Sequence, residues 1–350
     1  MAKERRDCLP DDGAVLSVGD LLDKKGALIQ GGYAFSQVKR YDRSAIRGDR
    51  SRIKEWDYYC FGDDKYAVAL TVANNSYMSL ASVSVLDFDH LTYLTRSRMG
   101  GACGKKLKMP SSCEDGDVAY KKSGVTMNFY NSAGERRLVC EFKKFDGKRD
   151  FSCDIELDKP TGDNITTAVP FSKRKQFYYN TKVNCLAVKG RFSIGDDIHE
   201  FASCASGVLD WGRGVWPYRN VWYWSSLSCR IDGREFGLNL GYGFGKPKAS
   251  ENVVFYDGKA HKLDNVKFEI PYTRGKPDYL KKWRIADDAG RLELAFFPMI
   301  DRKDRTNAIV LMTDQHQVFG KFFGKVTLDD GTIVDVTDKI GFAEYVRNKW

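Results

Sequence analysis

The sequence predicts an all-β protein of two consecutive antiparallel β-barrel or β-sandwich modules packed together, and three observations carry that expectation. From Glu55 onward the apolar residues recur at the period of two that belongs to strands. Turns rich in Gly and Asp return about every ten residues, with hardly any stretch of helical spacing between them. The order and spacing of strands in the first half then return in the second, as a duplicated module would require.

Taken in order, residues 1–50 are polar and turn-rich, with a short helix expected near Val18–Lys24, and read as a lead-in lying across the main body. Strands are expected at Trp56–Phe61, Tyr66–Val72, Tyr77–Phe88, Val125–Tyr130, Leu138–Phe145 and Phe151–Leu157, the first two joined by a GDDK turn. The Lys-, Gly- and Cys-rich stretch Met99–Asp117 reads as a loop. In the second half, Trp222–Ser228, a RIDGR turn and Glu235–Phe244 repeat the first hairpin. Leu292–Phe297 matches Val125–Tyr130, and Phe319–Leu328 echoes Phe151–Leu157. Pro160, Thr161, Gly162, Asp163 and Pro170 mark a linker, so residues 51–165 are expected to form the first module and 166–350 the second. Arg274–Trp283 reads as another loop, and Gly341–Trp350 as a short docked helix with Glu344, Arg347 and Trp350 at helical spacing.

Composition narrows the function classes. With 42% hydrophobic and 29% charged residues among 350, the chain reads as a globular protein, and no apolar run approaches the ~18 residues of a membrane span. The opening MAKERRDCLPDDG lacks the apolar core of a signal peptide, so a cytoplasmic location is expected. Nine cysteines with no close CxxC pair read as thiols, and Cys103 and Cys113 stand too far from histidines to suggest zinc. The net charge of +9 is a modest excess. Basic clusters at Lys39–Arg52, Lys105–Lys108 and Lys173–Lys175 are interspersed with acids and read as solvated faces, so no nucleic-acid partner is expected.

One stretch concentrates the chemistry. Trp211, Trp216, Trp222 and Trp224 are four of the seven tryptophans, and they stand beside Asp210, Arg213, Tyr218 and Arg219. Flat aromatic faces joined to a carboxylate and guanidinium groups suit a pocket for an organic molecule. Between Gly237 and Gly245 every second residue is Gly except Asn239, with Leu238, Leu240, Tyr242 and Phe244 between them, which at period two is a strand with one bare face. Such a face admits either tight barrel packing or a ligand.

The acids and bases near this stretch define candidate chemistry. Asp210 and Arg213 flank Gly212, and either pair with each other structurally or turn Arg213 on a ligand carbonyl or carboxylate with Asp210 orienting it. Glu251 follows the glycine strand. It either ties a turn with Asn252 or, half buried among aromatics, has a raised pKa and exchanges a proton near neutral pH. In TDQHQVFG, Asp314 and His316 share one face of an extended segment, with Gln315, Gln317 and Phe319 on the other. His316 is then either a carboxylate-charged catalytic imidazole or a solvent-exposed residue. No histidine pair has ligand spacing with a carboxylate, the Gly241, Gly243, Gly245 series fails the dinucleotide context, and no nucleophile elbow occurs, so neither metal nor cofactor is expected.

KEWDYY at Lys54–Tyr59, DWGRGVWPYR at Asp210–Arg219, GLNLGYGFG at Gly237–Gly245, SEN at Ser250–Asn252 and QHQVFGKFFG at Gln315–Gly324 together resemble the bacterial Domain of Unknown Function 2804 family over nearly the whole chain. That family resembles, at a distance, the lipocalin-like twin-barrel proteins, which include carotenoid hydratases, tocopherol cyclase and Diels-Alderases. The resemblance implies a small or medium organic ligand held in a barrel pocket. It also implies cofactor-independent hydratase, cyclase, isomerase or lyase chemistry, for which the residues themselves offer Asp210, Glu251, His316 and Arg213 as acid, base and charge, beside Trp211, Trp216, Tyr218, Trp222, Trp224, Asn239, Tyr242 and Gln317 as ligand contacts. Two other readings stay open: a carbohydrate-active enzyme using paired carboxylates on tryptophan platforms, and a non-catalytic carrier or sensor.

Overall fold

The computed structural model describes residues 14–101, 107–132, 135–158, 162–243, 249–307 and 312–349. Phe244 and Gly245 of the glycine strand, Pro160 and Thr161 of the expected linker, Cys103, Lys105 and Lys106, and Trp350 lie outside the described residues.

Strand is the dominant element of the described residues, helix being confined to the short turns Arg43–Ala45 and Arg50–Arg52, and most strands belong to two large curled antiparallel sheets that each form a barrel-like module. The first runs in the order Thr92–Gly100, Ser79–Asp87, Tyr66–Asn74, Ile53–Gly62, Ser206–Val215, Phe177–Ile194, Phe151–Asp158, Glu135–Phe142, Val125–Ser132 and Val118–Lys122. Its ends approach each other, the Tyr120 hydroxyl donating to the Arg98 carbonyl at 3.0 Å. The second runs Lys259–Lys262, Val253–Tyr256, Arg234–Tyr242, Arg219–Ile231, Ile333–Lys349, Met312–Thr327, Leu292–Asn307, Trp283–Asp287 and Val266–Glu269. Curling a sheet onto itself shields edge hydrogen-bonding groups and encloses one apolar face. The two enclosed faces form separate cores, one around Tyr59, Phe129, Phe151 and Trp211, the other around Trp283, Phe296 and Phe322.

The expected hairpins sit at corresponding places: Ile53–Gly62 pairs with Tyr66–Asn74 in one sheet, and Arg219–Ile231 with Arg234–Tyr242 in the other. The sheets exchange later than the 160–175 stretch proposed as a linker. Residues 165–215 belong to the first sheet, and the chain crosses to the second at 216–218. The reason is register. Phe177–Ile194 pairs with Phe151–Asp158 on one side and Ser206–Val215 on the other, and Ser206–Val215 pairs with Ile53–Gly62, so the first barrel has no middle without them.

Two helix expectations are corrected. Gly341–Lys349 continues the Ile333–Lys349 strand, hydrogen-bonded to Arg219–Ile231 and Met312–Thr327, and this two-sided pairing overrides the helical spacing of its charged residues. Val18–Lys24 contains only the short Gly19–Asp20 strand. The lead-in otherwise packs into the first core through Leu16, Leu21, Leu28, Tyr41 and Ile46. Among the described residues no helix is long and apolar enough to cross a membrane.

The sheets meet along a third apolar seam that includes Tyr58, Val208, Trp224, Phe319 and Phe342. Phe177–Leu186 is buried on both faces because one looks into the first barrel and the other into this seam. Period-two alternation therefore assigns Tyr179, Thr181 and Val183 to the barrel and Tyr178, Asn180, Lys182 and Asn184 to the junction. Asn184 closes the junction on one side, its Nδ2 donating to Ser226 Oγ at 2.9 Å.

Candidate functional site

A cavity of about 410 Å³ opens at the junction beside the apolar seam. Both sheets line it: Trp56, Tyr58, Tyr178, Lys182 and Asp210 come from the first, Trp222, Trp224, Gly241, Gln317 and Glu344 from the second. The aromatic wall is continuous. Trp56 stacks on Tyr178 with ring centres 5.6 Å apart, Trp216 packs against Tyr178 at 4.8 Å, and Trp222 follows at 5.9 Å from Trp216.

At the centre of the polar wall is Lys182, whose side chain is 3% exposed. Its ammonium lies 2.7 Å from Asp210 Oδ1, 3.9 Å from Glu251 Oε2 and 4.0 Å from the centre of the Trp224 ring. The Trp56 indole N–H donates to Asp210 Oδ2 at 3.1 Å, and Asn180 Nδ2 donates to Glu251 Oε2 at 2.6 Å. Burial pushes the Glu251 carboxyl above its ordinary range and the nearby Asp210 adds to this, against the pull of Lys182. Deeper in the same cavity, Glu344 accepts from Trp222 Nε1 at 2.9 Å and Gln315 Nε2 at 3.0 Å, and burial raises its carboxyl as well.

Glycines make the room. A Cβ at Gly241 would fall on the Glu251 carboxylate, and one at Gly212 would fall on the Trp56 ring. Asn239 ties the corner: its Oδ1 accepts from Trp224 Nε1 and its Nδ2 donates to the Glu251 carbonyl, both at 2.8 Å. Asn252 accepts from the Gly241 backbone N–H at 2.7 Å, so the SEN segment both ties a turn and presents an acid. Of the candidates read from sequence, Asp210, Glu251, Trp216, Trp222, Trp224, Tyr242 and Gln317 line the cavity, and Asn239 stands directly behind it.

Four others lie elsewhere. Trp211 and Arg213 alternate with Asp210 and Gly212 on the Ser206–Val215 strand and so face the interior of the first barrel. There the Arg213 guanidinium pairs with Asp57 at 2.8 Å, donates to the Trp56, Gly212 and Pro110 carbonyls and lies 4.1 Å over the Trp211 ring. Its carboxylate partner is Asp57 and not Asp210, because three positions along a strand reverse the face. His316 shares a face with Asp314 as expected, but that face is turned away from the cavity. The imidazole stacks on Tyr279 at 3.8 Å and is held by Asp301 at 2.9 Å, while Gln315 and Gln317 on the other face line the cavity. Tyr218 lies under Arg52 near the surface, outside the lining.

The residues that sequence reasoning passed over are Lys182, Asn180, Tyr178, Trp56, Tyr58, Arg302 and Glu344. Two carried a readable signal. Lys182 is the lone charge in FYYNTKVNCLAV, and Glu344 the lone acid in GFAEYV; a single charge inside an apolar strand marks a buried polar site.

In solved structures the same architecture recurs at low identity. An AttH-type protein of Nitrosomonas europaea is 14% identical, with 89% of this chain and 98% of that one covered at a TM-score of 0.54. Kievitone hydratase of Nectria haematococca is 12% identical, with 95% and 98% covered at 0.50. No curated protein matches the chain in sequence. The family model described as Domain of unknown function (DUF2804) matches residues 13–350, and the chain belongs to that family.

Proposed function

We propose that the protein holds a small or medium organic molecule with ring or hydrophobic character in the cavity between its barrels, and acts on it by cofactor-independent acid–base chemistry. The observation that carries this reading is one buried ammonium, Lys182, within 3.9 Å of two carboxyl groups that open onto an aromatic cavity. Hydration or its reverse, elimination, is the reaction class that best uses such a set, and the fold likeness to a hydratase agrees with it.

In that chemistry the Glu251 carboxyl, whose protonated form burial favours, gives its proton to one carbon of a ligand double bond. Water adds to the other carbon, its departing proton going to Asp210, and exchange with solvent returns the proton to Glu251. Lys182 and the Trp56 N–H hold Asp210 in place for this transfer. Trp216 and Trp224 are buried at the junction between the two sheets, with Trp56 and Trp222 half-buried beside them, which favours a lipophilic ligand over a glycan chain.

Mass spectrometry of small molecules released from the purified protein identifies the ligand. Wild type is then expected to convert it, while Asp210→Asn and Glu251→Gln bind it without conversion. Binding by all three with conversion by none makes the protein a carrier, and release of no molecule with no binding removes the cavity reading.

A further inference from the structure

Arg302 enters the cavity from the Leu292–Asn307 strand, and its partners are neutral. Its Nε and Nη2 donate to Gln317 Oε1 at 3.0 and 2.5 Å, and its Nη1 donates to the Ser84 hydroxyl at 3.0 Å. Among the described residues no carboxylate lies within ion-pairing distance of this guanidinium. Arg213, inside the first barrel, and Arg43 by contrast pair with carboxylates, those of Asp57 and Glu55. A cation set into a cavity without an anion is costly unless an anion arrives with the ligand.

A second, independent feature lies beside it. Gln317 is fully buried and lines the cavity, its Oε1 accepts from both Arg302 and the Tyr58 hydroxyl, and its Nε2 has no hydrogen-bond partner among the described residues. A buried amide N–H without an acceptor is destabilising. The same acceptor could satisfy it and Arg302 together. Lys182 does not compete for that role, since Asp210 and Glu251 occupy its surroundings. Two further acids line the cavity: Asp304, which is not within ion-pairing distance of Arg302, and Glu344, which is engaged by Trp222 and Gln315 and pushed toward its neutral form by burial although Arg302 pulls the other way.

We propose that the ligand carries a carboxylate, held by the Arg302 guanidinium and the Gln317 amide, which places its reacting part against Asp210, Lys182 and Glu251. This rests on the cavity reading above and adds the ligand's charge to it. A planar fork of N–H donors matches a carboxylate in a way that a neutral amide of the same shape cannot reproduce.

The test uses 2-naphthoate and its neutral counterpart 2-naphthamide, titrated calorimetrically into the full chain at pH 7.5. Wild type is expected to bind the carboxylate more tightly by about tenfold or more. Arg302→Gln should bring the two ligands within about twofold of each other, and Arg302→Lys, which keeps the charge, should retain part of the preference. Arg234→Gln, at an exposed arginine outside the cavity, should leave the preference unchanged. Equal binding of the two probes by wild type overturns the carboxylate assignment and leaves the cavity reading standing, whereas binding of neither overturns both. A preference that survives Arg302→Gln, or that disappears in Arg234→Gln, also overturns the assignment, because the anion would then sit elsewhere.

Discussion

The carboxylate of Glu251 occupies the space that a side chain at position 241 would take, and the missing Cβ of Gly241 is what lets this acid reach Lys182. The bare face of the glycine strand is thus explained at this position by a neighbouring acid, not by ligand contact alone. Gly241→Ala should force Glu251 out of the site and destabilise the protein by about 1–3 kcal/mol, as overpacking of a well-filled interior does. Urea denaturation of Gly241→Ala, Glu251→Ala and the double variant checks this. The double variant should be more stable than the two single losses added together, because truncating Glu251 vacates the contested space. Strict additivity would show that the two positions do not compete.

Lys182 is the structural centre of the polar wall. With its side chain 3% exposed and those of Asp210 and Glu251 at 10% and 13%, removing the ammonium leaves acids buried without their counter-charge. Lys182→Met should therefore cost about 3–5 kcal/mol, and Lys182→Met with Asp210→Asn distinctly less. Equilibrium unfolding in urea measures both. A double variant no more stable than the single would mean that Asp210 does not depend on Lys182.

The two raised carboxyls give stability a definite pH dependence. Glu251 and Glu344 start from an ordinary value of 4.5 and are raised in the folded protein chiefly by burial. The native state thus binds these protons more tightly than the unfolded chain, and the stability so gained is fully present below pH 4.5 and lost as pH rises through the folded values. Glu251→Gln cannot lose its share. The stability of wild type relative to this variant should therefore fall as unfolding is measured from pH 4.5 upward, levelling once pH passes the folded value of Glu251. A constant difference across that range would place Glu251 at an unperturbed value.

The all-β class and the paired hairpins were legible from the sequence because alternation at period two and recurring turn residues are local properties of the chain. Trp216, Trp222 and Trp224 with Asp210 and Glu251 were legible for a related reason: a dense aromatic and glycine stretch is costly to fold unless something fills or borders it. The same alternation, applied strictly, would have separated Arg213 from Asp210 and turned attention from His316 to Gln317. What no local pattern contained was the pairing of Phe177–Ile194 with four strands, Phe151–Asp158, Ile165–Pro170, Asp197–Glu200 and Ser206–Val215. Only the closed tertiary arrangement brings Lys182, Asp210, Glu251, Arg302 and Glu344 to one cavity, since these five lie on separate segments whose contacts depend on how the two barrels dock. The chain thus encoded its strands and its aromatic density by itself, while the burial and electrostatics that make an acid group of Glu251 arose from the meeting of the two sheets.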